Sequence, residues 1–157
     1  MNNSCKEEYA ARIANATPLQ LVIINYEIIF DYIKDAKENI ENAKPFNFAL
    51  NQARMFLSEL RNSLDMSYDI SKSLAALYNY VDQQISYYSV NKKEEHINEC
   101  EKVLSELLDG WKAIENKEED KTPIMQNTQQ LYAGLTYGKG GRLNEYVEPD
   151  TRRGFKA

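Results

Sequence analysis

Residues 15–36 read N-A-T-P-L-Q-L-V-I-I-N-Y-E-I-I-F-D-Y-I-K-D-A. A helix start is written into them: Thr17 stands as N-cap, Pro18 takes the first helical position, and Gln20 completes a capping box. Apolar residues then recur in steps of three and four, with a seam of Leu19, Val22, Tyr26, Ile29, Ile33, Ala36 and Ile40. At ~100° per residue, Leu21, Ile28 and Tyr32 flank that seam on one side, and Ile23 and Phe30 on the other. The apolar arc covers roughly 220°, where an ordinary bundle helix needs only a little over ~100°. Ile24 stands among the polar residues Gln20, Glu27, Asp31 and Lys34. Two readings stay open. The helix is central, touching several neighbours or covered by a terminal segment, or its excess is an apolar groove kept for a partner helix.

Three more helices follow with the same periodicity. One after Lys44-Pro45 carries Phe46, Leu50, Ala53, Leu57, Leu60 and Leu64. The next, after Asp69, carries Ile70, Leu74, Leu77, Val81, Gln84/Ile85 and Tyr88. The last starts at Asn91, with Glu94 as a second capping-box partner, and carries Ile97, Cys100, Leu104, Leu107, Trp111 and Ile114. No strand-like alternation competes, and the links are short. The sequence therefore predicts an all-α chain, an antiparallel up-down four-helix bundle over 17–117. An N-terminal segment, 1–16, precedes it, and an extended, largely irregular, Gly-containing basic tail, 118–157, follows.

Charge marks the tail as different. Residues 1–120 hold 13 Lys+Arg against 21 Asp+Glu, net −8, whereas residues 121–157 hold 6 against 3, net +3. Five of the six glycines (134, 138, 140, 141 and 154) lie there, and G-K-G-G-R reads as a hinge rather than a phosphate loop, since it follows no strand. The overall charge of −5 argues against nucleic acid as the main partner. No apolar run reaches the roughly 18 residues of a membrane span, because Asn25, Glu27 and Asp31 interrupt the longest one. M-N-N-S-C-K-E-E shows no signal-peptide pattern, and Cys5 and Cys100 match no metal or redox spacing. The expectation is a cytoplasmic protein.

No catalytic constellation is visible: no nucleophile elbow, Walker loop or dinucleotide fingerprint. A di-iron bundle needs paired Glu-x-x-His motifs, and the single histidine, His96, has Lys93 three residues before it. No cofactor or metal site is expected. His96, with Glu94, Glu95 and Glu99 nearby, reads as a solvated surface residue. Its functional alternative is a phospho-accepting histidine on a signalling bundle, and a third reading is a structural bundle whose wide apolar face closes a homodimer.

Ordered along the chain are Tyr9, Ile13, Ala16, Thr17, Pro18, Leu21 and Asn25-Tyr26-Glu27. L-R-N-S-L-D at 60–65 leads into L-x-x-L-Y-N-Y at 74–80, and Asn91 opens a final helix carrying Trp111. This set, over about residues 9–115, resembles the FliS family of flagellar export chaperones. It departs from the family at Ile28 and at Ser67-Tyr68, where glycines are frequent. The resemblance implies a cytoplasmic, non-enzymatic helical bundle that binds the C-terminal segment of flagellin. Holding that disordered segment prevents premature polymerisation and delivers flagellin to the export gate, whose cytoplasmic domain is a second expected partner. The resemblance also implies that Tyr9 and Ile13, in the N-terminal segment, bear on the groove and on gate docking. For the groove itself, the apolar residues in surplus are Leu21, Ile24, Ile28, Tyr78, Tyr80 and Tyr87, each of which could instead be core.

Overall fold

The computed structural model describes residues 1–118 as five helices, α1 (Asn3–Ala14), α2 (Pro18–Glu38), α3 (Ala43–Asn62), α4 (Asp69–Asn91) and α5 (Glu94–Glu118). The expected tail lies outside the described residues. Helices α2 to α5 form an antiparallel ring in which α2 packs on α3 and α5, and α4 closes the ring against the same two. The expected four-helix bundle is therefore present, and the N-terminal segment is a fifth helix laid against α2.

Local chemistry explains the helix ends. Thr17 Oγ1 accepts from the Gln20 amide (3.1 Å) and Gln20 Oε1 accepts from the Thr17 amide (3.0 Å), so two amides without intrahelical partners are satisfied reciprocally. Pro45 falls in the first turn of α3, where no amide hydrogen is needed. The link between α4 and α5 departs from expectation. Asn91 is the last residue of α4 rather than the cap of α5. Lys92 ends the helix in the left-handed region (φ 58°), and Asn91 Oδ1 accepts from the Lys93 amide (2.9 Å).

The wide apolar arc of α2 is explained by three neighbours. Tyr32 sits against Phe48 and Phe56 of α3, so the flank it shares with Leu21 and Ile28 faces α3. Lys37 pairs with Glu101 (3.0 Å), so the flank of Ile23 and Phe30 faces α5. The outer face meets α1. Leu21, Ile24 and Ile28 are all buried, which favours the central-helix reading of the two left open by the sequence.

The seams of α2, α3 and α5 follow the sequence pattern, from Leu19 to Ala36, from Phe46 to Leu60, and through Ile97, Cys100, Leu104 and Trp111. That of α4 follows it at Leu74, Val81, Ile85 and Tyr88 and departs at two positions. Its buried line is Ser71, Leu74, Tyr78, Val81, Ile85 and Tyr88, while Ile70 and Leu77, expected inside, are 55% and 37% exposed. The reason lies across the core, where the Tyr26 and Tyr78 hydroxyls are hydrogen-bonded at 2.6 Å and Trp111 Nε1 donates to the Tyr26 oxygen at 3.1 Å. Burial pushes the Tyr26 phenol up to about 12, against the opposing pull of those two bonds. Cys100 is also core: its thiol, pushed up to about 12 by burial, donates to the Val81 carbonyl (3.5 Å).

Replacing Tyr26 by Phe removes a bonding partner from both Tyr78 and Trp111. The expected cost is about 1–3 kcal/mol of unfolding free energy in urea titration, with the helical spectrum of the folded state retained.

Candidate functional site

Two surfaces of the bundle carry chemistry that its interior does not absorb. The first is a row on α4: Ile70, Leu77, Tyr80 and Tyr87, spaced seven, three and seven residues apart on one face. All four are exposed, between 37% and 55%. The row follows directly from the rotation of α4, because directing Tyr78 inward turns these positions outward.

Polar contacts place the row beside α5. The Tyr80 hydroxyl donates to Glu99 Oε2 (3.1 Å), and the Tyr87 ring lies 5.2 Å from that of His96. His96 Nδ1 donates to Gln84 Oε1 (2.8 Å), and its Nε2 accepts from Asn91 Nδ2 (3.3 Å), in the tautomer those partners require. Continuing this antiparallel register sets half-buried Val103 opposite Leu77 and Gly110 opposite Ile70. The result is a shallow groove with an apolar α4 wall and an α5 wall bordered by Glu95, Glu99 and Glu106. His96 is not the solvated residue expected, since its side chain is 18% exposed. Both ring nitrogens are engaged, which disfavours the phospho-accepting alternative.

The second surface is the seat of α1. The Tyr9 hydroxyl donates to Asp31 Oδ2 (2.7 Å), and Arg12 pairs with Glu27 (2.7 Å), so α1 runs antiparallel to α2 along its polar face and over Ile24. Burial and the carboxylate of Asp31 push the Tyr9 phenol well above its usual value. No residue of α1 is fully buried. Its attachment is largely polar and partly exposed, and such contacts contribute little. Ile13, one turn on from Tyr9, is 43% exposed. Where α1 ends, a cleft of ≈ 360 Å³ opens between it, α2 and α5, with Ile23 and Ile24 as its apolar lining and Arg12, Glu27, Lys112 and Glu115 around it.

Of the residues singled out in the sequence, Tyr80 and Tyr87 stand together in the α4–α5 groove. Tyr9 and Ile13 share α1, on a different face of the bundle. Ile24 lies beneath α1, Leu21 and Ile28 face α3, and Tyr78 is wholly enclosed in the core. Sequence reading missed Ile70 and Leu77 as surface residues. The signal was present in the alternative seam from Ser71 to Tyr88, which fits the same spacing with no large apolar side chain at its first position. Among the described residues, no group of three or more His, Cys, Asp or Glu could hold a metal ion, and no helix is long and apolar enough to cross a membrane.

The profile of a family described as "Flagellar protein FliS" matches residues 1–118, the whole of the described structure. Among curated proteins, the chain is similar to the flagellar secretion chaperone FliS of Bacillus subtilis (strain 168). The two are 26% identical over 112 residues, which cover 69% of this chain and 84% of that protein.

Tyr9→Ala removes the hydroxyl that reaches Asp31 and the partly buried ring beside it. Amide exchange in α1 should accelerate about fivefold or more, corresponding to about 1 kcal/mol, while protection in α2 to α5 and the melting temperature stay unchanged.

Proposed function

The chain belongs to the FliS family of flagellar proteins, and from that premise we propose that it is a cytoplasmic, non-enzymatic chaperone for the C-terminal segment of flagellin. The observation that supports this reading is the exposed row Ile70, Leu77, Tyr80 and Tyr87 beside α5. An amphipathic segment that forms helices only on packing offers an apolar face of matching period, and a groove between two helices accepts it. Covering each of these partly exposed side chains contributes of order 1 kcal/mol. The total is comparable to the roughly 2–5 kcal/mol that ordering a disordered segment costs. The row therefore offsets the ordering cost, and the affinity that keeps flagellin from polymerising early comes from the further surface the segment covers on the bundle.

Tyr80 and Tyr87 are the proposed client contacts among the sequence candidates, joined by Ile70 and Leu77. Leu21, Ile28 and Tyr78 serve the bundle core, and Ile24 meets a client only where α1 is displaced. Tyr9 and Ile13 are assigned to the cytoplasmic domain of the export gate. Ile13 supplies an accessible apolar side chain, and Tyr9 sets the position of α1. Nucleic acid and direct membrane insertion have no part in this reading.

Calorimetric titration with the C-terminal segment of the organism's own flagellin should give stoichiometric heat and a gain of helical signal. Leu77→Glu should weaken binding about tenfold or more. Its stability should change by no more than about 0.5 kcal/mol, because position 77 is on the surface. Absence of heat and of any helical gain with the unaltered protein at roughly 10 μM would refute the function, since useful holding requires affinity in that range.

A further inference from the structure

The α4–α5 groove has a second candidate occupant, covalently attached beside it. We propose that residues 119–157 of the same chain lie along this groove and compete there with the client, an inference that rests on the client reading of the α4 row.

Position and length favour this occupant. α5 ends at Glu118, and the antiparallel register sets that end beside the start of α4, where the exposed row begins at Ile70. From Ile70 to Tyr87 the row is about 25 Å long at 1.5 Å per helical residue. A 39-residue segment starting at position 119 covers that span even at helical rise, with about 20 residues left for the turn into it.

Its sequence has the right chemistry. Ile124, Leu131 and Leu135 are spaced seven and four apart, and Met125 and Tyr132 seven apart, a pattern that lines one face of a helix. The proposed client brings the same kind of face. Residues 119–157 carry 6 Lys+Arg against 5 Asp+Glu, net +1, and the apolar stretch 122–138 carries no charge, so the groove's acidic edge of Glu95, Glu99 and Glu106 does not repel it.

Gly110 adds an independent observation. It lies inside α5, where glycine costs about 1 kcal/mol relative to alanine. A Cβ at this position would meet nothing within 4 Å, so the described residues give no packing reason for a glycine. Opposite Ile70, its bare backbone leaves room for another segment to approach closely.

The test uses the full chain with Cys5→Ser and Tyr132→Cys, carrying a nitroxide at 132; the buried Cys100 thiol does not take the label. Broadening of the Val103 methyl and Gly110 amide NMR signals is expected. It should persist when labelled protein is diluted into unlabelled protein, and should vanish with Leu77→Glu. No broadening, broadening centred on Phe48 and Met55 of α3, or loss on dilution, which would identify a second copy as the occupant, each overturns the proposal. Competition is read from a full-length variant with Ile124→Asp, Leu131→Asp and Leu135→Asp. If the tail holds the groove in about nine molecules of ten, this variant binds the flagellin segment about tenfold more tightly than the unaltered chain. Equal affinity in the two proteins overturns the competition. If neither protein binds the segment while the label still reports the groove, docking is upheld and the client reading fails by itself.

Discussion

A tyrosine hydroxyl in the middle of the bundle sets the terms for everything around it. Tyr26 lies on the seam of α2 and is wholly buried, so its hydroxyl needs partners within the core. Tyr78 comes from α4, diagonally across the bundle, and Trp111 from α5. A buried hydroxyl without partners costs about 1–3 kcal/mol, a sizeable share of a domain's net stability. This requirement selects one rotation of α4 over its neighbour. With Tyr78 directed inward, Ile70, Leu77, Tyr80 and Tyr87 can only face outward. The polar hub and the apolar surface row are therefore one feature seen from two sides.

The same economy governs α2. A helix in a four-membered ring needs about 100° of apolar surface, and α2 has about twice that because three elements share it. Its strongest partners, α3 and α5, take the apolar flanks. The remaining face, lined by Glu27, Asp31 and Asp35, is met by α1 through a phenol and a guanidinium. Hydrophobic burial thus holds four helices together, while the fifth is attached mostly by hydrogen bonds and an ion pair that water can replace. Unequal attachment of this kind gives one protein a rigid scaffold and an element that opens at low cost.

Much of this was legible in the sequence. Thr17, Pro18 and Gln20 announce the start of α2 without ambiguity, and the seams of α2, α3 and α5 consist of side chains that have no reason to be elsewhere. In α4 the pattern held at Leu74, Val81, Ile85 and Tyr88 and failed at two positions, because two lines sharing those residues fit the same spacing. One begins at Ile70 and the other at Ser71, and hydrophobicity favours the first. The second wins through the Tyr26 hydroxyl, a partner 52 residues away that no local window contains. The helical state of α1 was hidden for a related reason. Its apolar residues are too few to mark a face, and its N-cap, Asn2 accepting from the Cys5 amide, is a weak signal when no seam follows. His96 was misjudged because its partners, Gln84 and Tyr87, lie on the preceding helix.

The composition of the groove bears on what it can do. A wall of leucines would hold an apolar helix tightly and would also invite self-association. Tyrosines present a ring to a partner while the hydroxyl stays solvated or bonded at the rim, as Tyr80 is to Glu99. That bond, with the contact between Tyr87 and His96, limits the orientations of both rings before any partner arrives, so less rotamer entropy is lost on binding. The acidic edge adds a repulsion that falls on a second copy of this acidic chain and not on a neutral or basic segment. A surface built this way discriminates among partners by charge and period rather than by depth. On the function proposed above, it suits an unfolded segment that must be held briefly and then surrendered.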